Sequence, residues 1–107
     1  MSMNNKQITI HRAYIKLFKG NYIHAAVLTE IEKIAVTYPC MVRFPCPHDE
    51  LADKLFLTAD QVRYSVKLIK KQLNGVVQTE VKKFNGIPTV HYLVNTLSLA
   101  QLKNQGE

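Results

Sequence analysis

The sequence contains no tryptophan and only four glycines, so nothing in it suggests a collagen-like or low-complexity chain. Its two cysteines, Cys40 and Cys46, are too few for a disulfide scaffold. No apolar run approaches the roughly 20 residues that span a bilayer. The first seven residues, Met-Ser-Met-Asn-Asn-Lys-Gln, lack the apolar centre of a signal peptide. The expectation is a cytoplasmic protein with reduced thiols and no membrane association. A glycine-rich phosphate loop is also missing. His11, His24, His48 and His91 are scattered, and no serine or cysteine nucleophile has a partner at motif spacing. No enzyme and no cofactor are expected.

Acidic residues are scarce too. Eight of them face fourteen lysines and arginines, which leaves a net charge of +6 on 107 residues. A small domain with that excess suits a polyanionic partner, nucleic acid or an acidic lipid surface, or simply carries a basic solvated surface. The hydrophobic fraction of 47% is ordinary for a globular chain, and the length suits a single domain spanning 1–107.

Residues 1–7 are polar and read as a flexible end. Ile8 to Ile10 alternate like a strand, and Tyr14 to Phe18 read as a short helix closed at Gly20. Asn21 is a good N-cap for a long helix whose apolar stripe is Ile23, Val27, Ile31, Ile34 and Tyr38. Glu30 and Lys33 fall on its wet side, and Pro39 ends it. Cys40 to Phe44 form a short extended stretch. Pro47 fits the first position of the next helix, and Asp49 and Glu50 suit the positive end of its dipole. Asp53 joins these acids in sequence, and the helix dipole accounts for the group without a catalytic role.

Phe56-Leu57-Thr58 is a three-residue break, with Thr58 as the cap of a helix over 59–73. Val62, Val66, Ile69 and Leu73 make one narrow apolar seam along that helix. Asn74-Gly75 stops it. Residues 76–94 form a hairpin turned by Asn85-Gly86, a pair that adopts positive φ cheaply, with Pro88 at an edge. Residues 96–104 form a last short helix. Cys40, Cys46 and His48 have no second close ligand pair, so no metal site is expected, and Cys40 reads as a small buried hydrophobe.

A helix, a three-residue break and a second helix over 48–73 is the helix-turn-helix unit, and the hairpin after it is a wing. The fold class expected is α+β, mainly α: a three-helix core with a β-hairpin wing and short flanking helices. The run Phe44-Pro45, Glu50-Leu51-Ala52, Leu55, Thr58, Val62, Val66, Ile69 and Gly75-Val76-Val77 resembles the winged-helix domains of phage and plasmid replication-initiation (replisome-organiser) proteins. More broadly it is similar to winged-helix transcription regulators. The resemblance covers about 85 residues, the span of one domain. Phe56 stands where a glycine or small residue is common in that family, and Cys46 or Pro47 where a serine or threonine caps.

The resemblance implies a binder of double-stranded DNA, acting in transcription or at a replication origin. Charge is concentrated where that implies. From Lys54 to Lys83, seven basic residues outnumber two acidic ones, for a local charge of +5. At about 100° per residue, Asp60, Tyr64, Lys67 and Lys71 lie opposite the seam, with Arg63 and Lys70 on one flank and Gln61 on the other. Arg63 suits guanine, Gln61 adenine, and Tyr64 a thymine methyl or a phosphate. Lys67, Lys70 and Lys71 suit phosphates. Lys82, Lys83 and Asn85 sit near the wing tip, and no metal is required.

The alternative is a docking module of the same fold, its basic face meeting an acidic host protein. Membrane-surface binding is disfavoured because the basic helix lacks a broad apolar face with aromatic anchors. Leu97, Leu99 and Leu102, with the long helix, offer more apolar surface than one small core buries, so a homodimer is expected.

Overall fold

Every residue from His24 to Glu32 is buried, and the fold is built around that segment. The computed structural model describes residues 8–106. Residues 1–7, expected as a flexible end, lie outside the described residues, as does residue 107. The elements are α1 (Arg12–Leu17), α2 (Tyr22–Ala35), β1 (Phe44–Pro45), α3 (His48–Leu55), α4 (Ala59–Gln72), β2 (Val77–Phe84), β3 (Ile87–Val94) and α5 (Thr96–Gly106). The protein is α+β and mainly helical, with one three-stranded antiparallel sheet in the order β1-β3-β2. No helix among the described residues is long and apolar enough to cross a membrane.

Helix α2 starts as expected, with the Asn21 side chain accepting from the His24 N–H. It packs against α1, α3, α4 and α5 at once. That corrects the single-stripe reading. Glu30, placed on the wet side by periodicity, is only 5% exposed. Lys33 Nζ and Lys54 Nζ approach its carboxylate at 3.5 and 3.8 Å. Glu32 is buried as well. Its carboxylate accepts from the Tyr14 hydroxyl at 2.7 Å, pairs with Lys103 at 2.8 Å and lies 3.6 Å from His11. Burial and the neighbouring Glu32 push the Tyr14 phenol up from its ordinary value. The helix ends at Ala35 rather than at Pro39, and Tyr38 leaves the stripe to stack on Phe44 at 5.0 Å.

Ile8 to Ile10 form no strand, because no neighbouring strand lies beside them to pair with among the described residues; Ile10 packs on the core instead. At the end of α1, Gly20 N–H donates to the Ile15 carbonyl, and Lys19 also takes a positive φ of 55°. Pro47 sits one residue earlier than expected, at the N-cap of α3. Cys40, expected as a small buried hydrophobe, is exposed, and the Leu97 N–H at the start of α5 holds its thiol below the usual value. Cys46 is buried, and burial pushes its thiol up to about 12. Helix α5 runs past 104 to Gly106; Leu99 enters the core while Leu97 stays exposed.

Between α3 and α4, Phe56 adopts the left-handed conformation (φ 58°, ψ 39°). Its side chain is 81% exposed, so no packing offsets the backbone cost. Asn85 and Gly86 turn the hairpin with φ of 53° and 80°, as the sequence predicts.

Two stability outcomes follow. Left-handed geometry costs a non-glycine residue roughly 1–2 kcal/mol, and glycine gives back about half of that in unfolded-chain entropy. Phe56→Gly is therefore expected to raise the urea midpoint by a stabilisation of about 0.5–1 kcal/mol; a lowered midpoint counts against this account of the turn. Tyr14→Phe removes a buried hydrogen bond to a charged acceptor and is expected to cost about 1.5–3 kcal/mol in the same assay. A change within about 0.5 kcal/mol, the size of a neutral surface substitution, contradicts it.

Candidate nucleic-acid interface

Helix α4 carries the densest group of exposed basic side chains, and three sets of contacts fix its position. Thr58 and Gln61 form a capping box at its start: Thr58 Oγ1 accepts the Gln61 N–H at 3.0 Å, and Gln61 Oε1 accepts the Thr58 N–H at 2.8 Å. Val62, Val66, Ile69 and Leu73 are buried, as the seam predicted. Polar contacts then lock the helix to its neighbours. His24 Nδ1 lies 2.7 Å from Ser65 Oγ, and Gln72 Nε2 donates to the Leu17 carbonyl at 2.8 Å. Sequence reasoning missed these three positioning residues. The available signal was placement: Ser65 falls on the seam between Val62 and Ile69, and His24 three residues before Val27.

Arg63, Tyr64, Lys67, Lys70 and Lys71 are exposed along the opposite face, together with Asp60 and Gln61. They do not all keep their polar atoms available. Arg63 Nη1 bonds Asp60 Oδ1 one turn back. Gln61 Oε1 is committed to the cap, so only its amide nitrogen is left to donate, which removes the two-bond contact with adenine expected of it. Tyr64 is 61% exposed, with its ring 5.8 Å from that of His24. Lys67, Lys70 and Lys71 form no ion pair among the described residues.

The β2–β3 hairpin separates its two lysines. Lys82 is opposite Thr89 and Lys83 opposite Pro88, and neighbours along a strand point to opposite faces. Lys83 therefore shares its face with buried Val77, and Lys82 shares the other with Glu80. Glu80 pairs with Arg43 at 3.0 Å and Lys82 at 4.0 Å. Asn85 is exposed at the tip, inside the turn. The hairpin thus presents Lys83 with no ion pair among the described residues and Lys82 beside an acid.

His48, at the start of α3, joins this surface to the sheet. Its Nε2 lies 3.0 Å from the Tyr92 hydroxyl. Burial, then the charges of Arg63 and Lys70, hold its pKa below the usual histidine value. Burial does the same to His24. Cys40, Cys46 and His48 do not converge, and no group of three side chains among the described residues could hold a metal ion.

The two imidazoles set a pH dependence. Both bind a proton less readily folded than unfolded, so their stability contribution is present above the unfolded value near about 6.5 and is lost as pH falls from there through the lower folded values. The thermal midpoint is expected to drop between about pH 7.5 and pH 5. That drop should shrink in His24→Gln/His48→Gln; an equal drop in the variant assigns the effect elsewhere. Comparison of the chain with protein-family models, with characterised proteins and with solved structures finds no match.

Proposed function

We propose that this protein is a winged helix-turn-helix that binds double-stranded DNA, with α4 in the major groove and the β2–β3 hairpin as its wing. The supporting topology is the run α2-β1-α3-α4-β2-β3 with the sheet order β1-β3-β2. One observation carries the reading: Lys67, Lys70 and Lys71 project from a rigidly anchored helix with no acidic partner among the described residues. Lysines so placed neutralise phosphates. Arg63 supplies base contacts once it exchanges Asp60 for a guanine edge. Gln61 contributes a single donor, and Tyr64 a thymine methyl or phosphate contact. Lys83 and Asn85 reach the backbone from the wing, and Lys82 contributes less because of Glu80. The biological role in this reading is transcription control or origin binding for a mobile element, in a cytoplasm and without a catalytic step.

A second reading is a docking module for a host protein. Phe56 and Tyr64, both largely exposed on the same helix-turn-helix unit, favour it, since aromatic anchors are enriched at protein interfaces.

Fluorescence anisotropy on labelled duplexes at several salt concentrations tests the first reading. With about four to six phosphates neutralised, the log–log salt slope is expected near −4 to −5. Lys67→Ala/Lys71→Ala should flatten it by about two units, one for each phosphate that is no longer neutralised. Arg63→Ala should instead narrow the preference between sequences, by about 1–3 kcal/mol at one base pair. A salt-independent isotherm, or no saturable binding, overturns the reading in favour of docking.

A further inference from the structure

One side of the sheet is open. Strand β3 lies between β1 and β2, so β2 is an edge strand. The direction of its backbone groups follows from hydrogen bonds on the far side of β3. The Val90 carbonyl accepts from Cys46 N–H at 2.8 Å and the Val94 carbonyl from Met41 N–H at 3.2 Å. Both carbonyls point away from β2. Their partners across the β2–β3 ladder, Val81 and Val77, therefore form non-hydrogen-bonded pairs. By strict alternation, Thr79, Val81 and Lys83 aim their N–H and C=O groups out of the open edge. Val77 N–H, which aims the same way, is taken by the Leu73 carbonyl. No backbone partner takes the amides of Thr79, Val81 and Lys83 among the described residues. At the centre of this edge Val81 is 66% exposed.

An open edge templates pairing with another strand. Lysines normally discourage that, but here Glu80 and Lys82 flank Val81. We infer that β2 pairs antiparallel with β2 of a second copy of this chain, about a two-fold axis through Val81, joining two sheets into one of six strands.

Charge selects the register. With Val81 against Val81 of the second copy, Glu80 faces Lys82 in both directions, as a closely spaced pair. Shifting the axis by one residue sets Glu80 against Glu80, or Lys82 against Lys82, and like charges directly opposite are unfavourable. In the selected register Thr79 and Lys83 exchange backbone bonds with each other's copies, and Val81 with itself. Val90 and Val81 of the two copies then form a continuous apolar row across the joint.

The inference does not rest on the DNA reading, and its test contains no DNA. Sedimentation equilibrium gives the mass of wild type, Lys82→Glu and Glu80→Lys, each alone, and of the two variants mixed. Wild type is expected to pass from 12.2 kDa toward twice that mass as its concentration rises. Each variant alone sets like charges in register and should weaken self-association about tenfold or more. The equimolar mixture restores both opposite-charge pairs and should regain wild-type affinity within about threefold. Both variants stay net positive, two units either side of the wild-type +6, so bulk attraction does not account for such a rescue. Circular dichroism confirms that each variant is folded.

Amide exchange supplies the register. Protection at Thr79, Val81 and Lys83 should grow with concentration, while Glu80 and Lys82, bonded to β3, should not change. A wild-type mass of one chain up to about 1 mM overturns the inference. So does a dimer that Lys82→Glu leaves unaffected, a mixture that fails to associate, or protection that does not follow the alternate residues.

Discussion

A helical segment buried on every side must bring its charges in with it, and His24 to Glu32 of α2 does so twice. Glu30 and Glu32 each lose water, a cost that only close partners offset. Those partners are spread over the molecule: Tyr14 and His11 near or in α1, Lys103 in α5, Lys54 in α3 and Lys33 in α2 itself. The two carboxylates are not equivalent. Glu30 is met by lysines whose side chains are half in water, while Glu32 is met by a fully buried phenol and by Lys103. Apolar side chains pack against α2 in many rotations, but a 2.7 Å bond from Tyr14 permits few. The Glu32 cluster therefore sets where α1 and α5 lie. His24 and Ser65 make the corresponding contact for α4.

The parts of this fold decided by near neighbours are legible in the sequence. The Thr58 cap, the Val62 to Leu73 seam and the Asn85-Gly86 turn depend on residues a few positions apart. The parts decided by distant neighbours are not. Hydrophobic periodicity identifies one buried stripe, and it has no means of reporting that four other helices surround α2, so it puts Glu30 in water. Cys40 departs from expectation for a similar reason. Pairing of β1 with β3 draws Cys46 inward through the bond from its N–H to Val90, and leaves Cys40 outside. Candidate interface residues follow the same division. The exposed face of α4 follows from spacing alone. Which of its polar atoms are already used does not, since the Gln61 cap and the Arg63–Asp60 pair are choices of side-chain rotamer.

Those choices divide the labour on α4. Its inner side is committed to position: an apolar seam, one bond to α2, one to the end of α1 and a capped start. Its outer side keeps three lysines that form no ion pair among the described residues, and on the proposed reading such long flexible amines would tolerate small errors in phosphate position. Arg63 differs, because its planar fork needs a defined partner and already holds one in Asp60. An exchangeable acid beside an arginine adds a cost to every contact that fails to replace it. On the proposed DNA reading, discrimination would concentrate at Arg63, and general attraction at Lys67, Lys70 and Lys71.

The β2–β3 hairpin shows the same economy at its two edges. On β3, the outward side is taken by β1 near Tyr92 and by Cys46 and Met41 through their N–H groups. Farther toward the tip stands Pro88, opposite Lys83 in a pair that needs no hydrogen bond. Its nitrogen faces outward, where a further strand would look for a donor and find none. That edge is closed to added strands by partners at one end and by proline at the other. Strand β2 has no proline and no bulge, and its outward amides over the same stretch have no backbone partner among the described residues. One edge of a two-stranded ribbon is blocked at the residue where blocking costs nothing, and the other carries an exposed valine between opposite charges. Protection applied to one edge alone leaves the second as the side on which the sheet can grow.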